Sequence, residues 1–321
     1  MAHLYIYSPS GAVRDKAALA RAVKRLRALG HQVELDAGAL ASWQRFAGDD
    51  DARLAAIARA AASGADAALI TRGGYGLTRL LPALPYKAIA RAIERGTQFI
   101  GFSDFTALQL AVLARGGGVT WAGPALIEGF GAEGAGQPDE ITLACFQDLL
   151  DGSAEGAGWR LPAGDIAALA GRRGGHLARG ATLWGGNLTM VASLLGTPWW
   201  PAAAEQGGIL FLEDAGEHPY RIERMLAQLL HAGVLARQKA IVLGRFTGYQ
   251  LAPHDRGYSL AKVVDWLRGQ IRKVPVLTGL PFGHAPTKVL LPVGAKIDLL
   301  VEGREALALW GHLPPRGMAH E

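Results

Sequence analysis

Short, wholly apolar runs alternate with longer stretches of helical periodicity through the first part of the chain. Leu4-Tyr5-Ile6-Tyr7 is the first such run, and Lys16 to Leu29, closed by Gly30, places apolar residues on one helical face. The same reading predicts strands at His31 to Leu35, Ala67 to Ile70 and Gln98 to Gly101. It predicts helices from Asp49 to Ala62, Lys87 to Arg95 and Ala107 to Ala114. Asp49, Asp50 and Asp51 suit a helix start, where unpaired backbone N–H groups favour carboxylates. Apolar strands separated by helices imply a mainly parallel sheet with helices on its faces.

From about Asp151 to Gly180 the rhythm stops. Gly152, Ser153, Gly156, Gly158, Pro162, Gly164, Gly171, Gly174 and Gly175 punctuate a weakly apolar stretch that reads as an interdomain connection. The pattern resumes with Gly185-Gly186-Asn187 ahead of a helix to Leu195, then a strand from Ile209 to Leu212. A helix from Tyr220 to His231, a strand from Ala240 to Leu243 and a helix from Leu260 to Ile271 follow. Strand pattern dominates the end: Lys288 to Leu291, a turn at Pro292-Val293-Gly294, Lys296 to Val301, and Ala306 to Trp310. The expected fold class is α/β. An N-terminal parallel-sheet domain spans residues 1–150, a linker 151–180, and a mixed, β-rich α/β domain 181–321. A chain of 321 residues is long for a single core.

Composition narrows the function classes. Half the residues are apolar and 19% are charged, as in a folded globular protein. The net charge of +5 is spread thinly, and its densest run, Arg21 to Arg27, reads as the solvated face of an amphipathic helix. No nucleic-acid partner is expected. The single cysteine, Cys145, lies in apolar sequence and reads as a small core residue, so no intrachain disulfide is expected. Met1 to Tyr7 enters a strand at once, without a leader pattern, and no apolar run approaches the roughly 20 residues of a membrane span. The protein is expected to be cytoplasmic, with no membrane partner. Neither H-E-x-x-H nor C-x-x-C occurs, and no phosphate-loop motif does, so neither a metal nor a cofactor is expected.

The sharpest chemical feature is Phe99-Ile100-Gly101-Phe102-Ser103-Asp104-Phe105. An apolar strand meets a tight turn with a serine at its apex, and a helix follows at once. That is the layout of a nucleophile elbow, with the Asp104 N–H placed to help hold an oxyanion. Phe105 replaces the second glycine of the usual motif, so Ser103 reads equally as a plain helix cap. Gly73-Gly74-Tyr75-Gly76, also after a strand, exposes backbone N–H groups and suits the other half of an oxyanion hole. A nucleophilic serine needs a base and an orienting acid. His284, in a Gly/Pro-bounded loop, and His218 are both candidates. Glu213 follows a strand end, whereas Asp214 and Glu217 can equally serve as helix N-terminal charges.

These segments together resemble the LD-carboxypeptidase family of serine peptidases, which includes the microcin immunity peptidases. The likeness rests on Ser8-Pro9-Ser10, Arg72-Gly73-Gly74-Tyr75-Gly76 and Gly101-Phe102-Ser103-Asp104 in the first half. It continues in Trp184-Gly185-Gly186-Asn187-Leu188, Leu195-Gly196-Thr197-Pro198, Leu212-Glu213-Asp214, Pro219 to Leu226 and Gly283-His284. The resemblance implies that Ser103 is the nucleophile, His284 the base and Glu213 its partner. It also implies an oxyanion hole from Gly73, Gly74 and Asp104, and a site in the cleft between the domains. The implied reaction removes the terminal D-Ala from a murein tetrapeptide, and the implied assembly is a homodimer. Arg72, Tyr75 and Asn187 are candidate substrate contacts. Two rival functions are a self-immunity peptidase acting on aminoacyl- or peptidyl-nucleotides, and a binding protein that keeps the cleft without catalysis. The first needs an aromatic surface for a base, for which Trp184, Trp199 and Trp200 are available, although packing is the default for tryptophan.

Overall fold

The structure, a computed structural model, describes residues 1–134, 138–169 and 175–313. Gly171 and Gly174 of the expected connection lie outside the described residues. Five parallel strands come first: β1 (His3–Tyr7), β2 (Gln32–Leu35), β3 (Ala67–Ile70), β4 (Gln98–Gly101) and β5 (Thr120–Ala122). Next are β6 (Gly156–Arg160), β7 (His176–Asn187), β8 (Ile209–Ala215), β9 (Ala240–Thr247) and β10 (Val276–Leu277). The last are β11 (Leu291–Val293), β12 (Lys296–Glu302) and β13 (Glu305–Leu309). One sheet runs β11-β5-β4-β3-β1-β2 and the other β10-β9-β8-β7-β12-β13-β6. Strands β7 to β10 are parallel, while β12, β13 and β6 extend that sheet antiparallel.

Helices α1 (Lys16–Ala28), α2 (Asp50–Ala62), α3 (Leu77–Leu80), α4 (Tyr86–Glu94), α5 (Phe105–Ala114), α6 (Leu126–Phe130) and α7 (Glu140–Asp151) belong to the first half. The second half adds α8 (Ala163–Leu169), α9 (Leu188–Leu194), α10 (Ala202–Glu205), α11 (Pro219–His231) and α12 (Leu260–Gln270). Asp15 starts α1 by accepting the Ala18 N–H at 2.8 Å, and Asp49 starts α2 through the Ala52 N–H at 2.8 Å. The basic run of α1 does more than face solvent: Arg21 and Arg25 donate to the carbonyls of Gly131 and Phe130 at 3.0 and 2.8 Å, anchoring the end of α6. Every residue of α5 from Phe105 to Val112 is buried. This helix touches β5 and β11 of one sheet and β7 of the other, and a helix covered on all sides is apolar nearly all round, here with Thr106 and Gln109 as its buried polar residues.

Two segments depart from the expected organisation. Within 151–180, read as a linker, β6 pairs with β13 and buries Ala157 and Trp159. Its alternate glycines are a packing requirement, since a Cβ at Gly156 would lie 2.7 Å from Leu309 Cδ2. At the other end, the turn expected at Pro292 is part of β11, which pairs antiparallel with β5 and so returns the chain to the first sheet. Pro292 is tolerated there because β11 is an edge strand. No helix among the described residues is long and apolar enough to cross a membrane.

Candidate functional site

Strand β4 ends at Gly101, and the chain turns through Phe102 and Ser103 into α5. Ser103 has φ of 64°, a left-handed conformation that costs a serine about 1 kcal/mol or more. Its side chain does not cap α5, whose N-cap is Asp104. Instead the hydroxyl lies 3.2 Å from His284 Nε2. His284 Nδ1 is in turn 2.8 Å from Glu213 Oε2. The two hydrogen bonds make a continuous line from hydroxyl to carboxylate, contributed by the end of β4, the loop before β11 and the end of β8. The rival His218 is spent elsewhere, 3.1 Å from Asp255 and accepting the Tyr220 N–H.

Close backbone approaches hold this line together. Gly283 has φ of 128°, and a Cβ there would sit 3.0 Å from Glu213 Oε2, so only glycine lets the histidine loop lie against the acid. A backbone bridge between Arg245 and Gly283 docks that loop on the end of β9. Glu213 is fully buried and directly opposite Asn187 in the β7–β8 ladder. Asn187 Nδ2 donates to Glu213 Oε1 at 3.2 Å and to Asp214 Oδ1 at 3.0 Å. Asn187, expected to touch substrate, is thus buried behind the acid and orients it. Asp214, expected as a possible helix-start charge, accepts instead from Thr189 N and Oγ1 at 2.9 and 2.8 Å.

Burial works against the charged form of His284. The hydrogen bond and charge of Glu213, with Asp214 and Glu128 behind them, outweigh it and hold the ring above its ordinary value. A general base must be neutral, so kcat/KM should fall on the acid side with an apparent pKa above 6.5. A pH–rate profile checks this, and an acid limb below that value would contradict it.

On the other side of Ser103, Gly73 presents its Cα face to the serine side chain. A Cβ there would lie 2.7 Å from Ser103 Cβ, 2.8 Å from Oγ and 3.6 Å from the Asp104 nitrogen. Gly73→Ala is therefore expected to lower kcat by about 100-fold or more while the protein stays folded, because it displaces the Ser103 hydroxyl. Steady-state kinetics beside a thermal melt separate the two effects; full activity would show the wall to be uncritical. Gly74 has φ of 126°, and its neighbour Gly11 donates its N–H to the Gly73 carbonyl at 3.2 Å. The Asp104 carboxyl is buried beneath the elbow and accepts from Ser10 Oγ at 2.8 Å and the Leu77 N–H at 3.0 Å. Burial raises its pKa despite those bonds, and the carboxyl ties the loops of Ser10 and Leu77 to the turn at Ser103.

Arg72 donates to the Ala12 carbonyl at 3.5 Å. Tyr75 is 43% exposed, its ring against Phe46 and under Arg45. Two charged residues that interact with this region were not singled out from sequence. Lys288 is buried, bonds the Ala285 carbonyl and lies 5.3 Å over the Phe102 ring, which itself stands 4.8 Å from the His284 ring. Glu128 of α6 lies within electrostatic reach of Arg72, Lys288 and His284. Each is a lone charged residue in an unremarked segment, and no local pattern marks either. Among the described residues, no cluster of His, Cys, Asp and Glu is arranged to hold a metal ion.

The chain is a two-sheet α/β protein in which a strained serine, a histidine and a buried glutamate stand in line. Comparison with known proteins is specific. The N-terminal domain model of LD-carboxypeptidases matches residues 4–123, and the C-terminal domain model matches residues 180–299. The chain belongs to the LD-carboxypeptidase family. The crystal structure of muramoyltetrapeptide carboxypeptidase from Oxalobacter formigenes superposes with a TM-score of 0.81 at 36% identity, covering 97% of this chain and 99% of that one. A putative carboxypeptidase of Synechocystis is 32% identical over 92% of this chain and 90% of its own length. The microcin self-immunity protein of Escherichia coli is 30% identical over 71% of this chain and 69% of its own.

Proposed function

We propose that this protein is a serine carboxypeptidase that hydrolyses the L,D-peptide bond between meso-diaminopimelate and the terminal D-Ala of murein tetrapeptides. The observation that carries the reading is the Ser103–His284–Glu213 line, with bonds of 3.2 and 2.8 Å and a serine held in left-handed backbone. His284 Nε2 takes the Ser103 proton as Oγ attacks the scissile carbonyl, while Glu213 fixes the tautomer and stabilises the imidazolium. The N–H groups of Asp104 and of the Gly73-Gly74 loop stabilise the tetrahedral oxyanion. His284 then protonates the departing D-Ala amine, and water, activated by the same ring, frees the acyl group from Ser103. Arg72 is the candidate for the terminal carboxylate, since its guanidinium makes no ion pair among the described residues and stands beside the Gly73-Gly74 loop. Peptide recycling in the cytoplasm by a homodimer belongs to the same reading.

The self-immunity alternative calls for an aromatic surface to take a base. Trp184 is fully buried, bonded to Gln238 at 2.9 Å and packed edge-on to Trp200, which supports the carboxypeptidase instead. The deciding experiment incubates purified protein with murein tetrapeptide and, separately, with an aminoacyl-sulfamoyl adenylate, and follows product by mass spectrometry. Release of D-Ala from the peptide supports the proposal; cleavage of the nucleotide alone would sink it.

A further inference from the structure

We propose that Asp139 and Thr287 are positioning residues for His284: together they latch the loop that carries the base to the start of α7. This rests on the reading of Ser103 and His284 as nucleophile and base, and names what holds the second of them in place. Thr287 lies three positions beyond His284, before the chain enters β11. Its hydroxyl donates to Asp139 Oδ2 at 2.8 Å. The other carboxylate oxygen, Oδ1, accepts the Thr142 N–H at 2.9 Å and so starts α7. The buried Thr142 hydroxyl stands 3.1 Å from that same oxygen and 3.3 Å from the Pro286 carbonyl, and it accepts the Lys288 N–H at 2.8 Å. One carboxylate therefore caps a helix and, directly or through Thr142, meets three successive residues of the histidine loop.

The two flanks of that loop are held by different parts of the molecule. On one flank Thr247, at the end of β9, donates its hydroxyl to the His284 carbonyl at 3.0 Å, and Gly283 bridges Arg245. These contacts tie the loop to the sheet that carries Glu213. The latch ties the other flank to the half that carries Ser103, and its anchor is firm. Phe146 of α7 is fully buried against Phe130 of α6, ring centroids 5.0 Å apart, and the Ile127 N–H of α6 bonds the Thr71 carbonyl just after β3 at 3.0 Å. A hydrogen bond to a carboxylate is stronger than one between neutral groups, so the Thr287–Asp139 bond is a strong member of this set. His284 must meet Ser103 Oγ at 3.2 Å and Glu213 Oε2 at 2.8 Å at once. A displacement of about 1 Å in such an arrangement costs about 100-fold in rate.

The test follows the rate at which a fluorophosphonate probe labels Ser103 in the full-length protein, against pH, beside D-Ala release from the tetrapeptide. Thr287→Val keeps the shape of the side chain and removes its donor. Asp139→Ser keeps a cap for α7 but is too short to hold Thr287 as well. Each is expected to slow labelling by about 10- to 100-fold, and Thr287→Ser to restore it. Combining Thr287→Val with Asp139→Ser is expected to cost no more than the slower single change, since both break one latch. Glu213, Asp214 and Glu128 hold the His284 ring above its ordinary value, and a ring less firmly bonded to Glu213 loses part of that support. The acid limb of labelling should therefore move downward in Thr287→Val, a change that a loss of folded protein does not produce. An unchanged rate and acid limb in Thr287→Val, a Thr287→Ser protein no faster than it, or losses that multiply in the double variant overturns the latch. If the wild type is labelled but releases no D-Ala, the substrate reading fails while the latch is judged by labelling alone. A wild type never labelled at Ser103 overturns the serine reading, and this inference with it.

Discussion

Ser103→Ala is expected to lower kcat/KM for the tetrapeptide by about 10,000-fold or more, without unfolding the protein. The hydroxyl is the only atom removed, and its one partner, His284 Nε2, keeps its orientation through the Glu213 bond. The left-handed backbone at position 103 strains alanine much as it strains serine, so the thermal midpoint should move by only a few degrees, as for a change of about 1 kcal/mol or less. Residual turnover above the water rate is expected, because the donors of the Gly73 loop and Asp104 remain. Release of D-Ala, followed by chromatography alongside a thermal melt, gives the comparison. Undiminished hydrolysis by a purified variant would remove the serine mechanism altogether.

Glu213→Gln is expected to reduce kcat by roughly 1,000- to 10,000-fold near neutral pH, and also to move the pH profile. The amide is nearly isosteric with the acid, but it can present an N–H to His284 Nδ1. That selects the tautomer with a proton already on Nε2, the atom that must receive one from Ser103. The sign of the pH effect follows from the same contacts. Burial lowers the His284 pKa, and Glu213 is the chief group raising it. Without the carboxylate, burial prevails and the acid limb of kcat/KM should shift downward, from above 6.5 in the native protein. A slow variant with an unmoved acid limb would mean that the neighbouring Asp214 and Glu128, not Glu213, hold the histidine charge.

Much of this arrangement was legible in the chain, for physical reasons that differ by element. Strands β1, β3 and β4 are buried on both faces and read as unbroken apolar runs, so the parallel sheet could be inferred directly. Ser103 alone could not be told from a helix cap, because both roles place a serine between a strand and a helix. What separates them is φ and the direction of the hydroxyl, and neither is a local property of the sequence. Asn187 was read for polarity and position, which could not reveal that the ladder seats it opposite Glu213. Strand β6 was hidden because its glycines answer to the bulk of Leu309 and Leu307 across the sheet, more than 140 residues away. Lys288 and Glu128 stayed invisible because their meaning lies entirely in what surrounds them.

The return of the chain through β11 has a consequence for how this architecture can be divided. The C-terminal family model ends at residue 299, and so includes a strand that is laddered into the sheet leading to Ser103. Six residues separate His284 from that strand, so the histidine loop runs directly into the sheet whose β4 leads to Ser103. The halves of the molecule are consequently stitched rather than hinged, and neither is an exchangeable module. A cut anywhere between them leaves either β5 with an open edge or β11 with nothing to pair against. Recombination that swaps whole domains between relatives must carry β5 and β11 together, which links the inheritance of the sheet leading to Ser103 to that of the segment carrying His284.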